Sequence, residues 1–234
     1  MNKNPKIVVF GSGVIGGSVG GWIAPHYQNI WFLDQGATAQ ALREKGITTY
    51  LQDHRAKAAT VPVRVINDLA EVPDVDVIML GVKNYSLEPV AKLIKEKVGD
   101  RAVIVSMANG MDNQRVLPKY FSRVIYCVVC YNAWMDEPGV IGYQKKGPLA
   151  LGTPDNSLQA EMAEIARVCN LGVETVVTPR LQDAVHCKIV INLTNSLTTL
   201  VGFRFKTLSD PTLFQKLLTG LTSEGVEIIR KNGY

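Results

Sequence analysis

The sequence predicts an α/β chain in which a parallel, doubly wound sheet is followed by an all-helical region. Three observations predict it. Through the first 110 residues, short apolar β-rich runs alternate with helical segments, the pattern of strands covered on both faces by crossover helices. A glycine-rich turn, Gly11-Ser12-Gly13-Val14-Ile15-Gly16, directly follows the first of those runs. After Pro179 the pattern becomes helix alone.

Residues 7–10, Ile-Val-Val-Phe, read as strand one, and the helix opened by Gly13 ends near Pro25, whose ring cannot continue it. Residues 30–34 are the second strand, and 37–45 a helix stopped by Gly46. Residues 47–51 and 63–66 read as short strands around a polar loop at 52–60. Another buried strand spans 76–80, an amphipathic helix closed by Gly99 spans 87–98, and a further strand spans 102–107. Residues 124–134, 139–143 and 148–152 are strand-like, punctuated by Pro138-Gly139 and Gly147-Pro148 turns. A helix over 156–170 and a last strand over 173–178 complete this region.

Pro179 suits a helix start. The expected division is therefore 1–178 as a Rossmann-like dinucleotide-binding domain and 179–234 as the start of a helical substrate and dimerisation domain, with helices over 180–201 and 210–231. Two helices cannot bury both faces of themselves, so this second region must lean on the first, on a partner or on further sequence. It ends just past a helix, at Arg230-Lys-Asn-Gly-Tyr234, and reads as incomplete.

Composition narrows the class. With 234 residues, 47% hydrophobic and 20% charged, the chain has an ordinary globular make-up. The net charge of +4 comes with no run of more than two Lys or Arg, which argues against a nucleic-acid partner. No apolar stretch has membrane-spanning length, so no membrane partner is expected. The start, Met1-Asn-Lys-Asn-Pro, has no signal-peptide core, which makes a cytoplasmic location the expectation. Cys127 and Cys130 form a C-x-x-C pair inside an apolar β-like run. Residues three apart on a strand face opposite sides, so buried structural thiols are expected rather than a redox or metal pair.

The glycine turn carries the first chemistry. Gly11 allows the tight turn, Gly13 lets a pyrophosphate approach the backbone, and Gly16 lets the new helix pack on the strand. With Ser12, Val14 and Ile15 between them, these residues form the expected cofactor cradle at a helix N-terminus. Asp34 ends strand two, eighteen residues after Gly16. A carboxylate there accepts from ribose hydroxyls and favours NAD, because the 2′-phosphate of NADP would meet its charge. Lys83, in Gly81-Val-Lys-Asn84, and Asn109, in Met107-Ala-Asn-Gly110, follow later strands. Lys83 is placed to meet a phosphate, a ribose or a substrate carboxylate, with an exposed loop lysine as the alternative. Asn109 is a candidate polar contact, with a plain Asn-Gly turn as the alternative.

The second chemistry lies on the helix 181–201. Lys188, Asn192, Asn195 and Thr199 recur at intervals of four, three and four, with Ser196 beside them and Ile189, Ile191, Leu193, Leu197 and Leu200 flanking. On an otherwise buried helix, unpaired polar groups would each cost about 1–3 kcal/mol. The stripe is therefore expected to face the first domain across a cleft and bind a small polar substrate. Lys188 would polarise a carbonyl and supply a proton as hydride arrives. A solvent-facing stripe is the alternative. His186 falls on nearly the opposite face, and His26 and His54 lie far off in sequence, so a histidine base has little support.

Together these residues resemble the ketopantoate reductase (2-dehydropantoate 2-reductase) family. The matching segments are the Gly11–Gly16 turn, Val82-Lys83, Asn109-Gly110-Met111, Pro138-Gly139-Val140-Ile141 with Leu149-Ala-Leu-Gly152, and Lys188-Ile-Val-Ile-Asn192-Leu-Thr-Asn195-Ser-Leu197. The resemblance implies reduction of the 2-keto group of ketopantoate, or of a similar 2-keto acid, to the 2-hydroxy acid. It implies Lys188 as general acid, Asn109 near the nicotinamide ribose and substrate, Asn192 as a substrate-binding asparagine and Lys83 on the cofactor side. The family's second helix asparagine is Ser196 here, with Asn195 one residue earlier. The family's usual cofactor is NADP, whereas Asp34 argues for NAD. A homodimer through the helical domain is a possible assembly. The family also continues into helices carrying a Ser-Ser-Met-type segment and an acidic residue, neither of which this sequence contains. An opine-type dehydrogenase and a binding-only dinucleotide sensor stay open as alternatives.

Overall fold

The structure, a computed structural model, describes residues 2–202 and 207–234. Along the chain run β1 (Ile7–Phe10), α1 (Val14–Ile23), β2 (Ile30–Leu33), α2 (Gly36–Lys45), β3 (Ile47–Leu51), β4 (Ala59–Val61), β5 (Val65–Ile66) and β6 (Val77–Leu80). Next come α3 (Asn84–Val98), β7 (Val103–Ser106), α4 (Asp112–Val116), β8 (Val124–Val129), β9 (Ala133–Glu137), β10 (Val140–Tyr143) and β11 (Leu149–Gly152). The last elements are α5 (Gln159–Cys169), β12 (Thr175–Val177), α6 (Leu181–Val201) and α7 (Pro211–Lys231). They separate into two units, Met1–Leu181 and Gln182–Tyr234.

The first unit is α/β. Its main sheet has the strand order β12-β11-β8-β7-β6-β1-β2-β5. Every residue of β1, β6, β7 and β8 is buried, as expected of apolar strands covered on both faces. β1 pairs in parallel with β2 and with β6, Ile7 standing opposite Ile30 on one side and Val77 on the other. Among the described residues, the one antiparallel pairing in this sheet is that of β11 with β8.

A second sheet, β4-β3-β10-β9, was not expected from the sequence. In it β10 pairs in parallel with β3, Val140 opposite Thr48, and antiparallel with β9. Helix α1 lies between the two sheets and is buried from Gly16 to Ile23. A Cβ on Gly20 would fall 2.4 Å from the Phe32 ring of β2, and one on Gly17 would fall 2.6 Å from Ile141 of β10. The helix is therefore glycine-rich because it is pressed from both sides.

Several expected elements shift. The run 124–134 is two strands in different sheets, β8 and β9, because the chain crosses from one sheet to the other at residues 130–132. The polar loop at 52–60 contains a short helical turn, Arg55–Lys57, and the start of β4. Helix α3 begins at Asn84, three residues early, with Lys83 as its N-cap in extended conformation. The two cysteines of the C-x-x-C pair do diverge, but only Cys127 is buried; Cys130 is exposed, because β8 has ended before it.

The second unit holds most of α6 with α7, which starts at Pro211 behind an Asp210 cap that accepts from the Leu213 N–H at 2.8 Å. Gly225 of α7 meets Leu193 of α6 so closely that a Cβ would fall 2.5 Å from it. The expectation of an otherwise buried α6 does not hold. Ile191 is 61% exposed and Leu200 83%, and Leu213, Leu217 and Ile228 of α7 are also open. Among the described residues, no helix is long and apolar enough to cross a membrane.

Candidate functional site

The glycine turn is built as its spacing suggests. Gly11 has φ +88°, in the left-handed region that glycine occupies at no steric cost, and its N–H donates to the Leu33 carbonyl at 2.9 Å. A Cβ on Gly16 would lie only 2.0 Å from the Gly11 carbonyl oxygen. Gly13 differs, since a Cβ there would meet nothing within 4 Å. It is the N-cap of α1 and no side chain caps the helix. The first N–H groups of a helix have no partner within it, and Gly13, Val14 and Ile15 at this end are only partly buried, with open space at Gly13. That is the cradle an anion needs.

Asp34 has a structural part that its sequence position does not suggest. Its Oδ2 accepts from the Ser12 N–H at 2.5 Å and its Oδ1 from the Gln35 N–H at 2.7 Å. The carboxylate thus pins the glycine turn, and each of its oxygens has a further lone pair. Ser12 turns inward: it is 1% exposed, and its Oγ has no partner among the described residues. Its N–H is held by Asp34 and its hydroxyl is buried.

A cavity of about 330 Å³ opens beside this turn. Gly11, Asp34 and Asn67 line it, with Leu69, Val82 and Leu93 forming an apolar wall. Ser86, Val90, Leu93 and Lys97, all on this wall, recur at intervals of four, three and four along α3. The spacing of that stripe is a helical signal present in the sequence. Asp68 also lines the cavity, and its carboxyl is held below the usual range by the Ala70 N–H and then by Lys97, 3.1 Å away.

Lys83 and Asn109 sit on loops after the adjacent strands β6 and β7, and both are exposed. Asn84 ties the two loops together by donating to the Asn109 carbonyl at 3.0 Å. Asn113, buried beneath, braces the second loop through Ser106 Oγ at 3.0 Å and the Ala108 carbonyl at 3.2 Å. Neither asparagine was singled out from sequence.

In the second unit, Lys188 and Asn192 are half-buried, and Asn195, Ser196 and Thr199 are exposed. Ser196 Oγ donates to the Leu193 carbonyl and Thr199 Oγ1 to the Asn195 carbonyl, at 2.7 and 2.6 Å. Those two hydroxyls donate to their own helix, leaving Lys188, Asn192 and Asn195 as the other polar groups of the stripe. His186 is buried against the Tyr234 ring at 4.1 Å, its Nδ1 2.7 Å from the Gln182 carbonyl oxygen. Among the described residues, no three His, Cys, Asp or Glu side chains gather to hold a metal.

The sequence model of the ketopantoate reductase PanE/ApbA family matches residues 7–156. The chain belongs to this family. Ketopantoate reductases are NAD(P)-dependent oxidoreductases of the 2-hydroxyacid dehydrogenase kind that act on a small keto acid, and this chain is an oxidoreductase of that type. It is 24% identical to the 2-dehydropantoate 2-reductase of Archaeoglobus fulgidus over 98% of its length and 75% of the relative's. The enzyme of that name from Pyrococcus horikoshii is also 24% identical, over 97% and 74%. Among solved structures, 2-dehydropantoate 2-reductase from Geobacter metallireducens aligns with TM-score 0.81 at 22% identity, covering 94% of this chain and 74% of that one. D-mandelate dehydrogenase with NADH and anilino(oxo)acetate aligns at 0.82 and 16% identity over 97% and 74%. A dimeric ketopantoate reductase from Staphylococcus aureus aligns at 0.72 and 18% over 97% and 80%. These structural likenesses concern the fold.

Proposed function

We propose that this chain reduces the 2-keto group of ketopantoate, or of a similar branched 2-keto acid, to the 2-hydroxy acid, with NADH preferred over NADPH. The observation that carries the reading is the uncapped glycine turn with open space at Gly13, set beside a cavity floored by Asp34. The residues present suit a dinucleotide: amides for the pyrophosphate, a carboxylate for the ribose and an apolar wall for the adenine. The NADH preference rests on charge. Asp34 and Asp68 both line the cavity, and its one lysine, Lys97, is paired with Asp68. A 2′-phosphate would enter a net negative surround.

When bound, the reduced dinucleotide supplies the hydride that adds to C2 of the keto acid. The chain's own part is binding and proton transfer. The α1 amides and Asp34 hold the dinucleotide in place, and Lys83 and Asn109 mark the loops nearest its reactive end. Lys188 Nζ donates a proton to the keto oxygen as the carbonyl electron pair moves onto it, and the neutral amine regains a proton from water. Asn192 and Asn195 orient the substrate by hydrogen bonds, with Ser196 beside them. Assembly as a homodimer through the second unit fits the same reading, given the open Ile191, Leu200, Leu213, Leu217 and Ile228. Light scattering that returned a monomer at micromolar concentration would exclude it.

The test is turnover. Loss of NADH and NADPH absorbance should be followed with ketopantoate, 2-ketoisovalerate, pyruvate and an aryl 2-keto acid. Faster turnover of the branched acids supports the reading. Measurable NADH binding with no turnover of any 2-keto acid overturns it.

A further inference from the structure

We propose a second ligand site in the first unit, for a small organic anion with a planar apolar body, between the C-terminal end of α1 and the small sheet. The site is a cavity of about 400 Å³, within the size range of small-molecule pockets. Its floor is aromatic: Trp22 and Tyr50 are 5% and 6% exposed, and Tyr143 stands beside them. Trp22 meets the Tyr143 ring edge-on at 5.0 Å, so the floor is rigid. The Trp22 indole N–H is buried and has no acceptor among the described residues.

The rim has one sign of charge. His26, His54, Lys57 and Lys146 line the cavity, and no Asp or Glu does. Asp136, which reaches the floor through Tyr50, is already engaged, accepting from Tyr50 Oη at 2.5 Å and pairing with Arg55 at 3.2 Å. Lys146 Nζ sits 5.5 Å above the Trp22 ring, where burial pulls its pKa down. A partly desolvated ammonium over an aromatic floor is a poor place for water alone and a good one for a carboxylate or phosphate carried on a flat body.

This site is separate from the dinucleotide cavity. The two share no lining residue. Helix α1 has its uncapped N-terminus at the glycine turn and its last residues at the second cavity, about 15 Å apart along ten residues.

Benzoate and phenyl phosphate are suitable probes, with benzyl alcohol as the neutral control, each titrated calorimetrically into the protein held at saturating NADH. The expected result is one benzoate or phenyl phosphate per chain, at least tenfold tighter than benzyl alcohol. Lys146→Ala should weaken the anions tenfold or more, and Ala59→Trp, which fills the cavity from the exposed strand β4, should abolish binding. Lys188→Ala should leave it unchanged, which separates this site from the substrate site of the proposed reductase. The proposal is overturned if, at saturating NADH, benzoate binds no better than benzyl alcohol, or if Ala59→Trp leaves its binding intact.

Discussion

Replacing Gly13 and Gly16 by alanine separates the two demands made on the glycine turn. At Gly13 the backbone has φ −64°, which alanine adopts freely, and a Cβ there meets nothing within 4 Å. Gly13→Ala should therefore fold normally: the less flexible unfolded chain adds about 0.4–1 kcal/mol, and the loss of a better N-cap residue offsets it by a similar amount. For a chain of this size Tm should stay within about 4 °C of the parent. At Gly16 the new carbon would lie 2.0 Å from the Gly11 carbonyl oxygen, with only backbone to yield. Gly16→Ala should cost about 3 kcal/mol, the upper end of ordinary overpacking, and lower Tm by about 6 °C or more. Binding should follow the opposite order of cause. The Gly13→Ala methyl occupies the space a pyrophosphate would enter, so NADH affinity should fall at least about tenfold, or 1.4 kcal/mol, in a well-folded protein. Thermal unfolding and calorimetric titration with NADH read the two effects independently. A Gly13→Ala variant that binds NADH as tightly as the parent would refute the cradle, and an unchanged Tm for Gly16→Ala would refute the close packing.

Three further outcomes are expected. Asp34→Asn keeps an acceptor for the Ser12 N–H and removes the charge, so the kcat/KM ratio of NADPH to NADH should rise about tenfold; an unmoved ratio would take cofactor choice away from Asp34. Lys188→Ala should lower kcat at least about 100-fold with an unchanged circular dichroism spectrum, and a variant of full activity would end its role as proton donor. A thiol reagent followed by peptide mass mapping should label Cys130 and Cys187 in the native protein and reach Cys127 and Cys169 only after unfolding. Burial pushes the Cys169 thiol up to about 12 and that of Cys127 well above its ordinary value. Native labelling of Cys127 would show that β8 opens.

The main sheet was legible because its strands are covered on both faces and so read as unbroken apolar runs at 7–10, 77–80 and 103–105. The division of 124–134 was not, since the chain changes sheets at Tyr131-Asn132 without a glycine or proline to mark it. The pinning of Ser12 by Asp34 was hidden for another reason: a side-chain bond to a backbone N–H twenty-two positions away leaves no periodicity. The polar stripe on α6 was found by spacing. Its burial was inferred from the apolar flank, and Ile191 and Leu200 show that an apolar flank need not be covered within one chain.

The small sheet had a signature nonetheless, and it lies in α1. Dinucleotide-binding turns need one glycine where the helix packs on the first strand, and Gly16 fills that need. Here the helix carries two pairs, Gly16-Gly17 and Gly20-Gly21. Gly16 and Gly20, four apart and so on one face, are pressed by Val9 and Phe32 of the main sheet. Gly17 and Gly21, again four apart, are pressed by Ile141 of β10 and Ile47 of β3. A second glycine line, turned about 100° from the first, has no use in a helix with one packed face and solvent on the other. It calls for a second layer close against the same helix. The layer it calls for, residues from β3 and β10 that lie more than ninety positions apart in register, is the one that walls the proposed anion site. The two glycine lines thus set how near α1 comes to each sheet, and Gly21, in the second line, itself lines the second cavity.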